Sequence, residues 1–278
     1  MIRCGITGAT GVLGKKIINK FNYRFIKFKN DITKKNDVDN WVKKNQFDLI
    51  IHLAAIVPTK VVKNNYIKAK NVNFLGTKNL IDSINKYNIE LKWFFYASTS
   101  HVYKIRNNAK YLTENSKKQP YTLYGQTKLM SEIYINKHLN KKYKFCIGRI
   151  FSFTDKLQKK DFFFPSIKNK ILKSKKNIIK FDNLNHFRDF ISIEDVCLAI
   201  NSLWKIRANG TYNIASGKSI SLENLVSKIC SKLKKKYTIL KNKKNPTYLV
   251  ANIEKIKKLN WKPKKNLNFI INDYFSTF

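Results

Sequence analysis

A tyrosine followed four residues later by a lysine can act as an acid–base pair, and this sequence contains that spacing several times. The phenol can transfer a proton, and a nearby ammonium can lower its pKa toward neutral pH. The chain holds 14 Tyr and 56 Lys plus Arg among 278 residues, so chance alone is expected to produce some of these pairs. The pairs are Tyr23/Lys27, Tyr66/Lys70, Tyr124/Lys128 and Tyr237/Lys241. The surrounding elements must decide which pair, if any, does chemistry.

The first fourteen residues predict a nucleotide-binding turn. Four of the nine glycines, Gly5, Gly8, Gly11 and Gly14, lie there, between a short apolar stretch and a helical pattern. In such a turn Gly8 lets the chain bend, Gly11 lets the backbone approach a pyrophosphate, and Gly14 lets the helix pack on the strand. The start of the helix then offers free N–H groups to the phosphates.

The chain continues with strand and helix patterns in alternation. Apolar strand patterns cover residues 24–29, 48–54, 91–97 and 143–151, and helical periodicity covers residues 36–45, 71–87 and 121–139. Nearly continuous apolar runs are typical of parallel strands that are buried on both faces. This order predicts an α/β fold, a Rossmann-type doubly wound parallel sheet with a smaller C-terminal substrate-binding lobe.

We expect two regions. Residues 1–152 form the dinucleotide-binding Rossmann domain, and residues 153–278 form the substrate-binding lobe, interleaved with returning Rossmann elements. The second region is less regular, with a helix over 162–172 and a strand over 178–181. Ser192 and Ser221 are predicted to be the N-cap residues of two further helices.

The predicted sheet selects one of the four Tyr/Lys pairs. In sheets of this kind, ligands bind at the carboxyl ends of the strands. The strand pattern over 91–97 runs directly into Ser98, Thr99 and Ser100, which places hydroxyl groups at that edge. Tyr124 and Lys128 begin the next long helix, one turn apart on the same face. The other three pairs have no such neighbours.

The net charge of +39 indicates polyanion attraction but no specific nucleic-acid binding, because the Lys residues are spread from end to end without an Arg cluster. No apolar run reaches membrane-spanning length, and the four Cys show no C-x-x-C pair. The first residues already read as a strand and turn and not as a signal peptide. We therefore expect a cytoplasmic protein without a membrane segment, and no metal site is predicted.

Several motifs together resemble one family over almost the whole chain. They are TGATGVLG (7–14), HLAA (52–55), NFLGT (73–77), ASTSHVY (97–103), YGQTK (124–128), RDFISIED (188–195), GTYNIASG (210–217) and LNWKPKK (259–265). In their order and spacing they resemble the extended short-chain dehydrogenases/reductases, in the branch of NAD-dependent epimerases/dehydratases that act on nucleotide sugars.

The resemblance implies catalytic roles for Thr99, Tyr124 and Lys128. Tyr124 is the expected general acid/base, and Thr99 is expected to hydrogen-bond the sugar oxygen that becomes a carbonyl. Lys128 is expected to hold the ribose and to lower the Tyr124 pKa. A cation about 4 Å away, at an effective dielectric near 20, stabilises a phenolate by roughly 4 kcal/mol, about three pKa units.

The resemblance also implies a binding site for NAD or NADP. Asp31 and Ile32 are expected to meet the adenine, and His52 to Ala55 are expected to line the cofactor. The complete expected cofactor set is Gly8, Thr10, Gly11, Val12, Leu13, Gly14, Asp31, Ile32, Leu53, Ala54, Ala55, Tyr124 and Lys128.

For the nucleotide-sugar substrate, the resemblance implies contacts from Ser100, Ser152 and Arg188. Arg188 is one of only six Arg, and a guanidinium suits a diphosphate better than the abundant Lys. The alternative for Arg188 is a structural role in a pair with a neighbouring Asp. A homodimer is compatible with the resemblance.

Three departures from the family pattern bear on function. A strand-and-helix unit before Asp31 looks missing or shortened, which leaves NAD or NADP open, since Lys27 and Lys29 lie near the expected ribose site. Ser152 stands where the family often has Asn. Ser100 and His101 follow Thr99 in place of the Asp-Glu pair of dehydratases. His101 could act as an acid, although a loop residue near the cleft is the simpler interpretation.

These features predict an NAD(P)-dependent enzyme that transfers hydride at a carbinol or keto carbon of a nucleotide sugar. The compact second half favours a 4-keto reductase over a nucleotide-sugar 4-epimerase with tightly held NAD. A noncatalytic dinucleotide-binding sensor or scaffold is the third alternative, since a fold does not determine a function.

Overall fold

The computed structural model describes residues 1–174, 178–240 and 245–276, and strands and helices alternate along most of them. The strands are β1 Arg3–Thr7, β2 Arg24–Lys27, β3 Leu49–His52, β4 Trp93–Thr99, β5 Phe145–Ile150, β6 Ser152–Thr154, β7 Ile179–Phe181, β8 His186–Arg188, β9 Phe190–Ser192, β10 Gly210–Ile214, β11 Ile220–Ser221, β12 Tyr237–Ile239 and β13 Thr247–Leu249.

The helices cover both faces of the main sheet and the second half of the chain. They are α1 Val12–Lys20, α2 Lys35–Lys44, α3 Thr59–Asn64, α4 Tyr66–Lys70, α5 Gly76–Lys86, α6 Leu123–His138, α7 Phe163–Lys173, α8 Ile193–Lys205, α9 Leu222–Lys232, α10 Glu254–Lys257 and α11 Leu267–Tyr274. A π-helical turn, Asn71–Leu75, joins α4 to α5, and a one-turn 3₁₀ helix, Ser100–Val102, follows β4.

The centre is a six-stranded sheet in the order β10-β5-β4-β3-β1-β2, and every neighbouring pair in it is parallel. Successive residues of its inner strands alternate between two cores. Trp93 and Phe95 pack with α1 and α8 on one face, whereas Phe94 and Tyr96 pack with α2, α5 and α6 on the other. This double burial explains the continuous apolar runs and confirms the doubly wound parallel sheet.

The sheet ends at β2, which pairs with β1 and has no second partner among the described residues. The strand predicted over 24–29 ends at Lys27, and Asp31 follows four positions later. The strand-and-helix unit expected between them in the family is therefore absent from this part of the described chain. The adenine side of the expected cofactor cleft is accordingly bordered by a short turn.

The second half contributes both to the main sheet and to a smaller lobe. Strand β10 pairs with β5, and α8 packs against α1. Three small sheets, β11-β8-β13, β12-β7 and β6-β9, complete the lobe with α7, α9 and α11, whose apolar residues form a separate core. Within the described ranges, none of the helices combines the length and the apolar character that crossing a lipid bilayer requires.

The remaining Tyr/Lys pairs lie elsewhere in the fold, and Lys27 is the last residue of β2. Tyr66 and Lys70 lie within the short helix α4, and Tyr23 precedes β2, where its hydroxyl donates to Asn201. Tyr237 begins β12, but its partner Lys241 lies outside the described residues. Tyr124 and Lys128 lie in the first turns of α6, which begins at Leu123, two residues later than predicted.

Candidate active site

Thr99 and Tyr124 come together because α6 starts unusually close to the end of β4. A Cβ on Gly125 would lie 2.3 Å from the carbonyl oxygen of His101, so only glycine permits this approach. The Thr122 hydroxyl caps the helix by accepting from the Gly125 N–H at 3.0 Å. Burial raises the pKa of Tyr124 above its usual value, and a hydrogen bond from the Thr99 hydroxyl acts in the opposite direction.

Lys128 is buried one turn beyond Tyr124, and 1% of its surface is exposed. Burial lowers the pKa of its amine to about 7, and the charge of Glu132 partly opposes that shift. Its Nζ lies 4.1 Å from the centre of the Tyr96 ring. The expected lowering of the Tyr124 pKa by Lys128 is not found, because burial dominates the pKa of the phenol and the amine rests on Tyr96.

A buried ion pair that was not predicted from the sequence supports this part of α6. Glu132 accepts from Arg149 Nη2 at 2.7 Å and from the Ser98 hydroxyl. Arg149 Nη1 also donates to the Tyr103 hydroxyl at 3.0 Å, and that hydroxyl donates to Asn213 Oδ1 at 2.6 Å. The network therefore joins α6 to β4, β5 and β10. The sequence signal for it is Glu132, which lies four residues after Lys128 and so on the same helix face.

His52 does not line a cleft with its side chain, contrary to expectation. It is fully buried, with Nδ1 2.6 Å from Thr7 Oγ1 and Nε2 2.9 Å from Thr77 Oγ1. Thr7 Oγ1 also accepts from the N–H groups of Leu53 and Ala54, each at 3.2 Å, so its own hydrogen goes to Nδ1. Burial, and then the charge of Lys128, lower the His52 pKa to about 3. His52 thus fixes the strand end beside the residues expected to meet the cofactor.

The glycines of the first turn differ in what the protein itself requires of them. Gly8 has φ +69°, and a Cβ there would lie 2.7 Å from the backbone nitrogen of Ala54. A Cβ on Gly14 would lie 2.4 Å from the carbonyl oxygen of Gly8. A Cβ on Gly11 would meet only that oxygen, at 3.2 Å, and Gly11 is exposed. The packing of the turn therefore demands glycine at 8 and 14 but not at 11.

The other expected cofactor residues of this turn lie at its rim or in the core. Thr10 is exposed beside Gly11, and Val12 begins α1 with a half-buried side chain. The Leu13 side chain is buried in the main core. Leu53, Ala54 and Ala55 follow β3, and Gly8 packs directly against Ala54. A ligand would meet Leu13 through its backbone.

At the expected adenine end, Asp31 is exposed and Ile32 is buried. The N–H and the hydroxyl of Thr33 both donate to Asp31 Oδ1, at 2.9 and 2.8 Å, and these bonds lower the Asp31 pKa. The Ile32 side chain packs where a Cβ on Gly76 would come within 2.6 Å of it. Only the backbone of Ile32 is therefore placed to meet a ligand.

On the substrate side, Arg188 is held by uncharged groups. Its Nη1 donates to the carbonyl oxygens of Phe187 and Thr247, at 2.8 and 3.0 Å, and its Nη2 donates to Thr247 Oγ1 at 3.1 Å. In the described part of the chain, Arg188 does not form the alternative pair with a neighbouring Asp. The carboxylate of Asp189 accepts instead from the N–H groups of Ser216, Gly217 and Ala251.

Arg188 lies close enough to His101 and Tyr121 for its charge to act on both, which places it on the Tyr124 side of the molecule. Burial lowers the Arg188 pKa, and no carboxylate bonds to it in the described part of the chain. Ser152 is half-buried at the start of β6, whereas Ser100 is buried. Of the three expected substrate residues, Arg188 thus has a charge available for an anion.

Comparisons with known proteins agree with the fold and identify the family. The family model described as GDP-mannose 4,6 dehydratase matches residues 7–274. The chain is 29% identical to the GDP-6-deoxy-D-talose 4-dehydrogenase of Aggregatibacter actinomycetemcomitans, over 97% of this chain and 91% of that protein. Its fold is similar to that of RMD from Pseudomonas aeruginosa complexed with NADPH, with TM-score 0.85, 18% identity and coverage of 99% and 98%. It is also similar to that of the Thermus thermophilus UDP-glucose 4-epimerase complexed with NAD, with TM-score 0.84, 18% identity and 99% coverage of both chains.

Proposed function

The chain belongs to the family described as GDP-mannose 4,6 dehydratase, and on that basis we propose that it reduces the 4-keto group of a nucleotide sugar with NADH or NADPH. It is a nicotinamide-dependent enzyme of nucleotide sugars, as its relatives are. The observation that carries the proposal is the meeting of Thr99 and Tyr124 at the carboxyl edge of the sheet, with Lys128 one turn further along α6.

The protonation of Tyr124 suits the reductive direction. Because burial raises its pKa, the phenol carries its proton at neutral pH and can donate it to a carbonyl oxygen. The Thr99 hydroxyl hydrogen-bonds the same oxygen and stabilises the charge that develops there. The bound nicotinamide supplies the hydride. In the oxidative direction Tyr124 would first have to lose its proton, which the buried position disfavours.

The first turn fits a dinucleotide. At Gly11 the backbone is exposed and the space that a Cβ would occupy is nearly open, so a pyrophosphate can approach closely. The first turn of α1 contains no acidic side chain, so its N–H groups face no competing carboxylate from that turn. We propose that Lys128, whose pKa burial lowers to about 7, donates hydrogen bonds to the ribose hydroxyls.

Arg188 is proposed to bind the substrate diphosphate. Its two Nη1 hydrogens and one Nη2 hydrogen are used by carbonyl and hydroxyl acceptors. Among the described residues, the Nε–H and the second Nη2–H have no acceptor, and on one edge of the guanidinium they form a fork that matches two phosphate oxygens. Three bonds to neutral groups fix the orientation of that fork without neutralising its charge.

Dehydration is not proposed, although the family model bears a dehydratase name. Elimination of water needs an acid and a base beside the hydride-transfer site. The residues after Thr99 are Ser100 and His101, and neither is a carboxylic acid. The relative from Aggregatibacter is named as a dehydrogenase of a 6-deoxy sugar, which supports an enzyme that acts on sugars already dehydrated.

A nucleotide-sugar 4-epimerase is the second candidate. The observation in its favour is the fold similarity to the Thermus epimerase over 99% of both chains. An epimerase needs the same hydroxyl, tyrosine and lysine, but it regenerates its own cofactor. The two candidates therefore differ in cofactor stoichiometry and not in the catalytic residues.

The test is an activity panel with the purified chain. GDP-linked and UDP-linked 4-keto-6-deoxy sugars are mixed with NADH or NADPH, and the nicotinamide absorbance is followed with Tyr124→Phe as the control. Loss of one equivalent of NAD(P)H per sugar reduced supports the reductase. Interconversion of UDP-glucose and UDP-galactose without net cofactor change would establish the epimerase in its place. A homodimer is a further proposal, which sedimentation equilibrium would test.

A further inference from the structure

His101 lies against both residues proposed to act on the reacting oxygen. Its backbone N–H donates to Thr99 Oγ1 at 3.3 Å. Its ring meets the Tyr124 ring edge-on, with 5.8 Å between centroids, and stacks on Tyr121 at 5.5 Å with an interplanar angle of 20°. The imidazole is thus fixed between two aromatic rings directly beside the proposed proton donor.

The hydrogen bonds around His101 bear on which ring nitrogen carries the proton. The Thr122 hydroxyl accepts from the Gly125 N–H, so its single hydrogen is free to be donated. His101 Nδ1 lies 3.3 Å from Thr122 Oγ1 and can accept that hydrogen. With Nδ1 as the acceptor, the neutral ring carries its proton on Nε2, and we assign this tautomer to His101.

The Nε2–H has no protein partner within the described residues, and it is not among their fully buried polar atoms that lack one. It therefore keeps some solvent exposure, in a side chain that is half-buried. Burial, and then the charge of Arg188, lower the His101 pKa to about 4, so the ring is neutral near pH 7. A neutral imidazole serves as a hydrogen-bond donor, and this argues against the role of His101 as an acid.

We propose that His101 is a substrate-contacting residue that donates its Nε2–H to a sugar oxygen on a carbon next to the reacting one. This inference rests on the proposed function. Tyr124 and Thr99 are proposed to contact the reacting oxygen, and Arg188 is proposed to bind the diphosphate. His101 would then contact the part of the sugar between these two groups. The chemistry that it recognises is an uncharged hydroxyl or carbonyl oxygen, because a neutral donor has no charge to offer an anion.

The test separates the sugar from the rest of the substrate. The measurements use a Tyr124→Phe background, which prevents turnover. Calorimetry compares the affinity for UDP-glucose with the affinity for UDP, and the affinity for GDP-mannose with the affinity for GDP. His101→Phe keeps both ring contacts but removes the donor, whereas His101→Gln keeps an N–H. The matched control is His138→Phe, because His138 stacks on Tyr134 at 4.2 Å near the other end of α6.

We expect His101→Phe to weaken binding of the preferred nucleotide sugar about 10- to 100-fold and to leave the nucleoside diphosphate unchanged. His101→Gln should recover most of the loss, and His138→Phe should have no effect. Equal weakening of sugar and diphosphate, or no weakening of either, would overturn the inference. Should His101→Phe fail to fold, His101→Ala gives the same comparison. Absence of binding by the parent protein would instead count against the proposed function.

Discussion

The amine of Lys128 lies 4.1 Å from the centre of the Tyr96 ring, on the face of α6 that also carries Tyr124. An aromatic face favours the charged form of an amine, whereas burial favours the neutral form. Burial lowers the Lys128 pKa to about 7, partly opposed by the charge of Glu132, so small changes around the amine alter its charge near neutral pH. We therefore expect the Lys128 amine to take up a proton when a ligand that favours the ammonium binds beside it.

The first prediction concerns pH and NADH binding. If the ribose favours the ammonium, the Lys128 pKa in the complex lies above about 7. Below pH 7 the amine is protonated with or without NADH, and binding takes up no proton. Above pH 7 binding takes up a proton, so affinity falls as pH rises, by up to about tenfold per pH unit.

Calorimetry between pH 6 and 9, in buffers of different ionisation enthalpy, measures both the affinity and the proton uptake. Lys128→Met should bind NADH more weakly and with little pH dependence, while Lys137→Met, at the exposed end of α6, should behave as the parent. A flat affinity profile in the parent would contradict the proposed ribose contact.

The second prediction concerns the proton donor. Tyr124→Phe removes the hydroxyl and should lower kcat by a factor of about 10² to 10⁴, with NADH affinity unchanged. Tyr237→Phe and Tyr23→Phe, which alter tyrosines of the other Tyr/Lys pairs, should remain active. Initial rates and calorimetry on the three variants provide the comparison. A Tyr124→Phe protein with parental turnover would rule out the assignment.

The third prediction uses two glycines of the same turn. Gly11→Ala places a methyl group where only the Gly8 carbonyl oxygen is near, at 3.2 Å, so the fold should survive while NADH affinity falls more than about tenfold. Gly14→Ala forces a Cβ to 2.4 Å from the same oxygen and should lower the melting temperature by several degrees. Thermal unfolding and NADH titration of both variants test this. Unchanged NADH binding by Gly11→Ala would show that the turn has no cofactor role.

The fourth prediction concerns the fork of Arg188. Arg188→Lys keeps the charge but loses the planar pair of N–H groups, so KM for the nucleotide sugar should rise about 10- to 100-fold with little change in NADH affinity. Arg24→Lys, on the exposed edge strand β2, is the control and should match the parent. Steady-state kinetics on both variants decide the question, and an unaltered KM in Arg188→Lys would exclude bidentate binding.

Much of the main sheet could be predicted because its signal is local. Residues 49–51 and 93–96 are apolar without interruption, and in the structure each alternates between the two cores. The small lobe gave a weaker signal. Its strands are only two or three residues long and are defined by pairing between distant segments, as when β8 pairs with β11 and β13. The π-helical turn Asn71–Leu75 likewise lies inside a pattern that reads as one regular helix.

The proposed active site could be predicted in part. Thr99, Tyr124 and Lys128 follow from one strand end and one helix start. The contact of Tyr96 with Lys128 could not be predicted, because the position of Tyr96 inside an apolar strand indicates only core packing. The Glu132–Arg149 pair was also missed, because burial of two charges depends on a contact across 17 positions that no spacing rule reveals.

The pairing of β10 with β5 has a consequence for the protein during its synthesis. Thr99, Tyr124 and Lys128 emerge from the ribosome long before β10, Gly210–Ile214, which pairs with the edge of β5. At about 5–20 residues per second, that interval lasts several seconds. Throughout it the hydrogen-bonding edge of β5 is bare, and Tyr103 lacks Asn213, the acceptor of its hydroxyl. Cotranslational folding of the catalytic half is therefore incomplete until the distal strand arrives, and an unpaired strand edge of this kind is prone to wrong pairing.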